Sequence, residues 1–250
     1  MKIVLFITTF NCGSEIRNTL ENLYKFRKYF SEIIVLDNRS SDKTLSEAIS
    51  FRETMGWNLK IFRNNRNYGL GGSHKVAFSY AKQKGASCAI LHGDNQTEVD
   101  TLVSALSHDE TRSWENVTLL GARFITGSVT NNYSFMRNIL NRVLNIVFSL
   151  RFGSRIYDLG SGLNLYGNHL LESVDILDLP DDLSFNYFLT HRIVKSGCEY
   201  KWIPILWRES SSESNLNLVR QLKSTLRLLI SGANNFGNDT NHSDFSYEEI

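Results

Sequence analysis

The chain has 250 residues, a formal net charge of +1 at pH 7 and a hydrophobic content of 42%. This composition suits one domain with a sizeable core, and the balanced charge gives no overall attraction to nucleic acid. Cys12, Cys88 and Cys198 are scattered without C-x-x-C spacing, which argues against a disulfide framework or a zinc site and for a reducing compartment. No apolar run is long enough for a signal peptide or a membrane span, so we expect a cytoplasmic protein.

Strand-like and helix-like segments alternate through the first hundred residues. Apolar runs at 3–7, 33–36, 59–62 and 88–91 predict strands. Helical apolar spacing predicts helices between them, and the last of these, over about 73–84, can end at a left-handed Gly85. This alternation implies right-handed crossovers and a mainly parallel sheet flanked by helices.

The second half of the chain is less regular. Its apolar patterns predict strands at 117–120, 163–166 and 200–206, and helices at 134–150, 185–195 and about 216–229. The polar segment 231–250, acidic at its end, lacks the apolar residues to order itself and is predicted to be a disordered tail. We therefore expect one α/β domain over residues 1–230.

Polar loops follow the predicted strands at the sheet edge where open α/β folds bind ligands. Residues 92–96 (HGDNQ) follow the fourth strand, and the Asp94 carboxylate with the Gln96 amide oxygen suits a hard divalent cation that also holds phosphate oxygens. Asp37 and Asn38 end the second strand, where a carboxylate and an amide can hydrogen-bond a base and a ribose. Both segments also suit turns and helix caps, so each pattern alone leaves both interpretations open.

Two further loops complete the candidate binding segments. Thr9, Phe10 and Asn11 follow the first strand. Residues 67–75 (NYGLGGSHK) combine three glycines with Lys75 at a helix start, a composition that can cradle a diphosphate. The segment matches neither the P-loop pattern nor G-x-G-x-x-G, so its signal alone is weak.

Taken together, these segments resemble the family-2 glycosyltransferases of GT-A fold. Residues 33–44 (IIVLDNRSSDKT) resemble the family's nucleotide-binding strand and turn, 67–72 (NYGLGG) its next loop, and 92–96 its D-x-D-x-Q metal motif. Residues 158–166 (DLGSGLNLY) are similar to the D-x-x-S-G-F segment of polyprenyl-phosphate sugar synthases, and 203–208 (IPILWR) to their closing segment. The resemblance covers about residues 1–230 in the family's order and spacing.

The resemblance implies a Rossmann-like GT-A domain with a nucleotide-sugar-binding half, 1–122, and an acceptor-side half, 123–230. It implies an inverting, metal-dependent transfer, with Mg²⁺ or Mn²⁺, from a nucleotide-sugar donor to a lipid-linked or glycan acceptor. The donor-binding residues would be Thr9, Phe10, Asn11, Asp37, Asn38, Asn67, Gly69, Gly71, Lys75 and Gly93. The metal-binding residues would be Asp94 and Gln96, with His92 as a further candidate.

The implied reaction breaks the bond between the anomeric carbon and a diphosphate that leaves with growing negative charge. A divalent ion, helped by Lys75 or Arg208, would stabilise that charge. Asp158 is the candidate catalytic base, unless the acceptor is a phosphate that brings its own charge, and Asp158 equally suits a turn before Gly160. Asp182 is the reserve candidate, although it also suits a cap for the following helix.

Three residues depart from the family pattern. His92 replaces the first aspartate of the metal motif, and a neutral imidazole there would favour a softer metal than magnesium. Cys12 stands where many members carry a glutamate that contacts the nucleotide, and Asn38 where an aspartate often reads uracil, so the identity of the nucleotide base stays open.

Two alternative functions remain open at this point. The chain could be a catalytically silent nucleotide-sugar-binding partner or a nicotinamide-dependent oxidoreductase, and the missing G-x-G-x-x-G argues against the latter.

Segment 133–157 has four arginines, Arg137, Arg142, Arg151 and Arg155, and no acidic residue, on a helix with a strong apolar face. Such a helix can lie on an anionic membrane, or pack into the core with solvated arginines. Because the corresponding helix of polyprenyl-phosphate sugar synthases lies near the membrane, we expect peripheral contact with the inner face of the cell membrane.

Overall fold

Strands and helices alternate along the first half of the chain, as the hydrophobic pattern predicts. The computed structural model describes residues 2–108, 113–209 and 244–250. Up to residue 108 the elements are β1 (Ile3–Thr9), α1 (Ile16–Tyr24), β2 (Glu32–Asp37), α2 (Thr44–Met55), β3 (Lys60–Asn64), α3 (Gly69–Gln83), β4 (Ser87–His92) and α4 (Asp100–His108). From residue 113 they are β5 (Val117–Ala122), β6 (Val129–Asn131), α5 (Phe135–Phe152), β7 (Leu163–Tyr166), α6 (Asn168–Ser173), α7 (Phe185–Lys195), β8 (Glu199–Pro204), β9 (Leu206–Arg208) and β10 (Tyr247–Glu249). The helix predicted over 216–229 lies outside the described residues.

The central sheet has eight strands in the order β10-β3-β2-β1-β4-β7-β5-β8. β3, β2, β1 and β4 are parallel, β7 is antiparallel to both of its neighbours, and β5 and β8 are parallel. A second sheet pairs β6 with β9. Strands from 1–122 and from 123–230 share the central sheet, which confirms a single α/β domain, while the division of function between these halves stays a prediction.

The core lies on both faces of the central sheet. In β1, Val4 and Phe6 belong to one hydrophobic cluster, and Leu5 and Ile7 belong to the other. Successive side chains of a strand point to opposite faces, so a continuous apolar run fits a strand that is covered on both sides. This arrangement fixes the carboxyl ends of β1, β2 and β4 beside one another, where the predicted polar loops begin.

The last residues of the chain differ from the predicted disordered tail. Residues 247–249 form β10, which pairs antiparallel with β3 at the edge of the sheet. The ring of Tyr247 stacks on Phe62 with ring centroids 4.5 Å apart, and the amide of Ile250 donates to the carbonyl of Ile61 at 2.8 Å. A polar segment is ordered here because an existing strand edge supplies the hydrogen bonds and a buried aromatic ring supplies the apolar contact.

Helix α5 confirms the predicted helix but exposes much of its apolar surface. Phe148 and Phe152 are buried in the core, while six large side chains on the helix are exposed: Phe135, Met136, Ile139, Val143, Ile146 and Leu150. None of the helices that the structure describes has the length and apolar composition needed to cross a membrane.

Candidate functional site

A cavity of about 520 Å³ opens where β1, β2 and β4 end. Its lining residues come from five short segments: Thr8, Thr9, Phe10 and Cys12; Asn38; Asn67, Gly69, Leu70 and Ser73; His92, Gly93 and Asp94; and Asp182, Leu183, Ser184 and Tyr187. The volume is that of a typical small-molecule site, and its place at the carboxyl edge of a parallel sheet is where open α/β folds bind ligands.

The glycines at the start of α3 allow close packing against the segment before α7. A Cβ on Gly69 would lie 2.4 Å from the carbonyl oxygen of Asp181, and one on Gly71 would lie 2.3 Å from that of Pro180. The amide of Gly71 donates to the Asp181 carbonyl at 2.7 Å, and that of Gly72 donates to it at 3.3 Å. The helix start is thus capped by a peptide group, and Gly71, which does not line the cavity, serves packing instead of the predicted donor contact.

Lys75 does not reach the cavity either. Its side chain is fully buried, and Nζ donates to the carbonyl of Leu179 at 2.5 Å and to Oδ1 of Asp181 at 2.6 Å. An ammonium group held by a buried carboxylate and a carbonyl is not available to a diphosphate. The predicted role for Lys75 in stabilising the leaving group is therefore replaced by a role in fixing residues 179–181 to α3.

Asn38 organises the loop between β3 and α3. Its Nδ2 donates to Oδ1 of Asn67 at 2.8 Å, while its Oδ1 accepts from Nδ2 of Asn64 and from the amide of Tyr68, each at 2.9 Å. Asn38 lines the cavity, but these bonds occupy its amide group. The predicted contact of Asn38 with a base therefore requires sharing one of these bonds or rotating the side chain.

Asp37 and Asn11 do not line the cavity. Asp37 is completely buried, its Oδ1 accepts from the amide of Ser40 at 3.1 Å, and Arg63 Nε lies 3.3 Å from its Oδ2. Asn11 has a left-handed φ of +54°, and its Oδ1 accepts from the amide of Ser41 at 2.9 Å. Both residues shape the turn after β2, and neither lines the cavity, so their predicted contact with the donor stays a prediction.

The loop after β4 brings a carboxylate to the cavity. A Cβ on Gly93 would lie 2.5 Å from Cγ2 of Thr9, so only glycine lets this loop cross the end of β1. Asp94 lines the cavity, and its Oδ1 accepts from the amide of Gln96 at 3.2 Å. Burial raises the pKa of the Asp94 carboxyl. A nearby cation would oppose this effect, because opposite charge favours the ionised form.

His92 borders the same loop as a neutral imidazole. Burial lowers its pKa to about 4, and the adjacent ring of His74, at 6.1 Å between centroids, is shifted to about 3 for the same reason. A Cβ on Gly162 would lie 2.9 Å from the His92 ring, so glycine there makes room for it. A neutral ring nitrogen can bind a divalent ion, although magnesium prefers oxygen.

The predicted metal ion would take only some of its ligands from the protein. Within the described ranges, no group of three or more His, Cys, Asp or Glu side chains could hold an ion. Gln96 does not line the cavity, and its backbone carbonyl accepts from the backbone amide of Arg208 at 2.8 Å. One carboxylate at a cavity wall suits magnesium or manganese that takes its remaining ligands from phosphates and water. Asp94 therefore fits the ion better than Gln96 does.

Asp158, the predicted base, is held in a buried ion pair. Its two oxygens accept four hydrogen bonds, from Nε, Nη2 and the amide of Arg123 and from the amide of Gly160, at 2.7–3.0 Å. The Asp158 side chain is 1% exposed, and it does not line the cavity. A carboxylate so placed cannot take a proton from an acceptor in the cavity. These contacts favour the alternative interpretation of Asp158 as a structural aspartate that holds Arg123 and the turn before Gly160.

Asp182 lies at the cavity, and Arg208 does not. The Oδ1 of Asp182 accepts from the amide of Ser184 at 2.9 Å, an arrangement that precedes α7 and agrees with the cap reading. Nη2 of Arg208 lies 2.7 Å from Oε1 of Glu98, and its side chain is 48% exposed. Of the three catalytic candidates, the structure therefore brings only Asp182 together with Asp94.

The comparison with known families agrees with this geometry. The model of glycosyl transferase family 2 matches residues 4–158. The chain belongs to this family. It is 22% identical over 179 residues to a polyprenol monophosphomannose synthase of Mycolicibacterium smegmatis, covering 71% of this chain and 66% of that protein. It is 25% identical over 146 residues to a dodecaprenyl-phosphate galacturonate synthase of Rhizobium johnstonii, covering 58% and 41%. Each match spans less than two thirds of the relative's length.

The fold is also that of solved enzymes. The glucosyl-3-phosphoglycerate synthase of Mycobacterium tuberculosis, in complex with Mn²⁺, uridine diphosphate and glucosyl-3-phosphoglycerate, matches with a TM-score of 0.60 at 12% identity. The match covers 91% of this chain and 77% of that chain. At this identity the likeness concerns the fold, and it confirms the GT-A expectation.

Several residues of this family-2 cavity were not among the sequence-predicted site residues. They are Thr8, Cys12, Leu70, Ser73, Leu183, Ser184 and Tyr187. Thr8 and Cys12 flank the predicted loop after β1, so a wider window would have included them. Burial raises the pKa of the Cys12 thiol to about 12, so it is a neutral lining group. Leu183, Ser184 and Tyr187 carry no sequence signal for a binding site, because they reach the cavity through the packing of residues 180–181 on α3, far away in the chain.

Proposed function

We propose that this chain transfers a sugar from a nucleotide-sugar donor to a polyprenyl phosphate, with inversion by a single displacement. The observation that carries the proposal is the Asp94 carboxylate on the wall of a cavity at the carboxyl edge of a GT-A sheet. The names of the two curated relatives, both synthases of prenyl-phosphate sugars, support the choice of acceptor.

The donor would lie across the ends of β1, β2 and β4. The ring of Phe10 is 42% exposed at the cavity and can stack on a nucleoside base, and Asn67 and Gly69 line the same cavity. Asp94, with His92 beside it, would hold magnesium or manganese at the diphosphate. The bound ion would stabilise the negative charge of the leaving diphosphate.

The acceptor chemistry follows from which carboxylates face the cavity. A phosphate acceptor is already an anion and needs no base, whereas a sugar hydroxyl must lose its proton during transfer. Asp158 is engaged by Arg123, which leaves Asp182 as the one sequence-predicted base at the cavity. We therefore expect transfer to a phosphate acceptor to tolerate the loss of the Asp182 carboxylate.

This expectation gives the test of the proposed function. The wild type and Asp182→Asn are assayed with radiolabelled nucleotide sugars, manganese, and either a short polyprenyl phosphate or the matching polyprenol. The wild type should glycosylate only the phosphate, and Asp182→Asn should keep its rate within about threefold, since a phosphate acceptor brings its own charge. A drop of about 100-fold in Asp182→Asn would instead indicate base catalysis toward a hydroxyl acceptor. Donor binding without any transfer would indicate the silent partner protein.

His92 tests the choice of metal. His92→Asp adds a hard oxygen ligand beside Asp94, so we expect it to increase activity with magnesium relative to manganese. The measurement is the ratio of kcat/KM in the two metals for the wild type and the variant. A ratio that is the same in both proteins would show that the side chain at position 92 does not contact the ion. His169→Asp, a distant exchange of the same kind, is the control.

A lipid acceptor also predicts contact with a membrane, for which α5 is the candidate surface. Phe135 and Leu150, at opposite ends of the helix, are 76% and 81% exposed. Arg142 stacks on Phe124 at 5.1 Å, whereas Arg137 pairs with Glu209, which reduces the free positive charge that the sequence predicts. The exposed apolar stripe therefore contributes more to the expected contact than the arginines do.

We expect the wild type to sediment with anionic phosphatidylglycerol vesicles at low salt. Replacing Ile146 and Leu150 by aspartate should release the protein, because it removes apolar burial and adds repulsion. Leu177→Asp changes an exposed leucine away from α5 and serves as the matched control. Equal sedimentation of both variants, or no sedimentation of the wild type, would contradict membrane contact through α5.

A further inference from the structure

The β10 segment, residues 244–250, does not line the cavity, but it contacts residues that hold two of the lining segments in place. These segments, here called the two walls, are the loop of Asn67 before α3 and the segment of Asp182 before α7. The first connection passes through Ser246. Its carbonyl accepts from the amide of Asn65 at 3.1 Å and from the hydroxyl of Tyr68 at 3.0 Å, and its Oγ accepts from Nδ2 of Asn65 at 2.7 Å. The amide of Tyr68 donates in turn to Asn38, which bonds the cavity residue Asn67. Ser246 thus holds the loop that forms one rim of the cavity.

The second connection passes through Phe245. Its ring makes an edge contact with Tyr68 at 5.4 Å between centroids, and Nζ of Lys75 lies 5.1 Å from its centre. A Cβ on Gly72 would lie 3.2 Å from the Phe245 ring, so the ring rests directly on the first turn of α3. Lys75 bonds Asp181, the residue before the cavity residue Asp182.

We propose that Phe245 and Ser246 are positioning residues that hold the two walls of the donor cavity in their binding arrangement. The proposal rests on the proposed function for the identity of the ligand. The Phe245 ring faces the ammonium group of Lys75, and Ser246 bonds one loop at both Asn65 and Tyr68. Together these contacts restrict the movement of both walls. A donor that binds only the ordered arrangement has its affinity reduced by the fraction of time that the walls are displaced.

The test compares two phenylalanine-to-alanine variants in the full chain. Phe245→Ala removes the ring that rests on α3. Phe30→Ala removes a buried ring just before the amino end of β2, whereas the cavity lies at the carboxyl end of that strand, and it controls for loss of stability alone. Glu248 lies on β10 and pairs with Arg39 at the surface, so Glu248→Gln controls for perturbing the strand itself.

Two measurements are made on these proteins. The first is the affinity for uridine and guanosine diphosphates with manganese, together with the donor KM and kcat. We expect Phe245→Ala to raise the dissociation constant and the donor KM about tenfold with less change in kcat, because saturating donor selects the ordered arrangement. Both controls should bind like the wild type, and so should Phe245→Tyr, which keeps an aromatic ring at position 245.

The second measurement is hydrogen exchange of the amides in the ligand-free proteins. Phe245→Ala should accelerate exchange at Tyr68, Gly71 and Gly72, whose amides bond Asn38 and Asp181. Unchanged exchange at these three amides in Phe245→Ala, or equal acceleration in Phe30→Ala, would overturn the positioning role. Wild-type protein that binds no nucleotide would refute the proposed function, and the exchange result would still decide the role of Phe245.

Discussion

Replacing Asp94 by alanine should abolish metal-dependent donor binding and lower kcat/KM at least about 100-fold, a loss of about 2.7 kcal/mol of transition-state stabilisation. Asp94 is the carboxylate that the structure places on the cavity wall at the end of β4, beside a histidine that is neutral. Without it, the ion would have to be held by the diphosphate, water and neutral protein groups. Isothermal titration with a nucleoside diphosphate and manganese measures the loss of binding directly.

Asp100→Ala provides the matched control for this experiment. Asp100 begins α4 and lies 3.5 Å from Nζ of Lys25, and it does not line the cavity. Its replacement removes a carboxylate close in sequence while leaving the proposed metal ligand in place. If Asp94→Ala keeps the manganese-dependent affinity of the wild type and a native circular dichroism spectrum, the assignment of the metal to Asp94 is wrong.

Replacing Asp158 by alanine should lower the free energy of unfolding by about 3–5 kcal/mol, because it leaves the guanidinium of Arg123 buried without its partner. The side chains of Arg123 and Asp158 are 8% and 1% exposed, and the pair joins the end of β5 to the segment before β7. Arg123 also stacks on Trp207 at 4.7 Å. Urea denaturation followed by fluorescence measures the loss of stability.

The double replacement Arg123→Leu with Asp158→Leu separates stability from chemistry. Removing both charges avoids the unpaired cation, so we expect the double variant to recover much of the stability that Asp158→Ala loses. We expect the double variant to bind the donor like the wild type, because neither side chain lines the cavity. A stable Asp158→Ala protein that binds the donor normally but transfers no sugar would show instead that Asp158 acts in catalysis.

The sequence predicts the fold well because its signals are local. Apolar runs such as residues 3–7 and 88–91 have the length and composition of strands buried on both faces, and the helices between them leave few possible topologies. The failure at residues 244–250 has a clear cause. β10 depends on Tyr247 stacking on Phe62, 185 positions away in the chain, and no local pattern indicates that partner.

The candidate site is predictable to the level of its loops but not of its side chains. The rule that ligands bind beyond the carboxyl ends of parallel strands correctly brings Thr9, Asn67 and Asp94 to one cavity. It cannot show that Lys75 is paired with Asp181, 106 positions later, or that Arg123 engages Asp158. Charged residues in a motif can serve either a ligand or a buried partner, and only the packing of distant segments separates these roles.

The central claim is that the cavity at the ends of β1, β2 and β4 binds a nucleotide sugar together with a divalent ion. Isothermal titration of the full chain with uridine- and guanosine-diphosphate sugars, with manganese and with a chelator in its place, tests this claim most directly. We predict saturable binding of at least one donor in manganese, and a loss of affinity of at least about tenfold in the chelator. Binding of equal strength in manganese and chelator, or no binding of any donor, would contradict it.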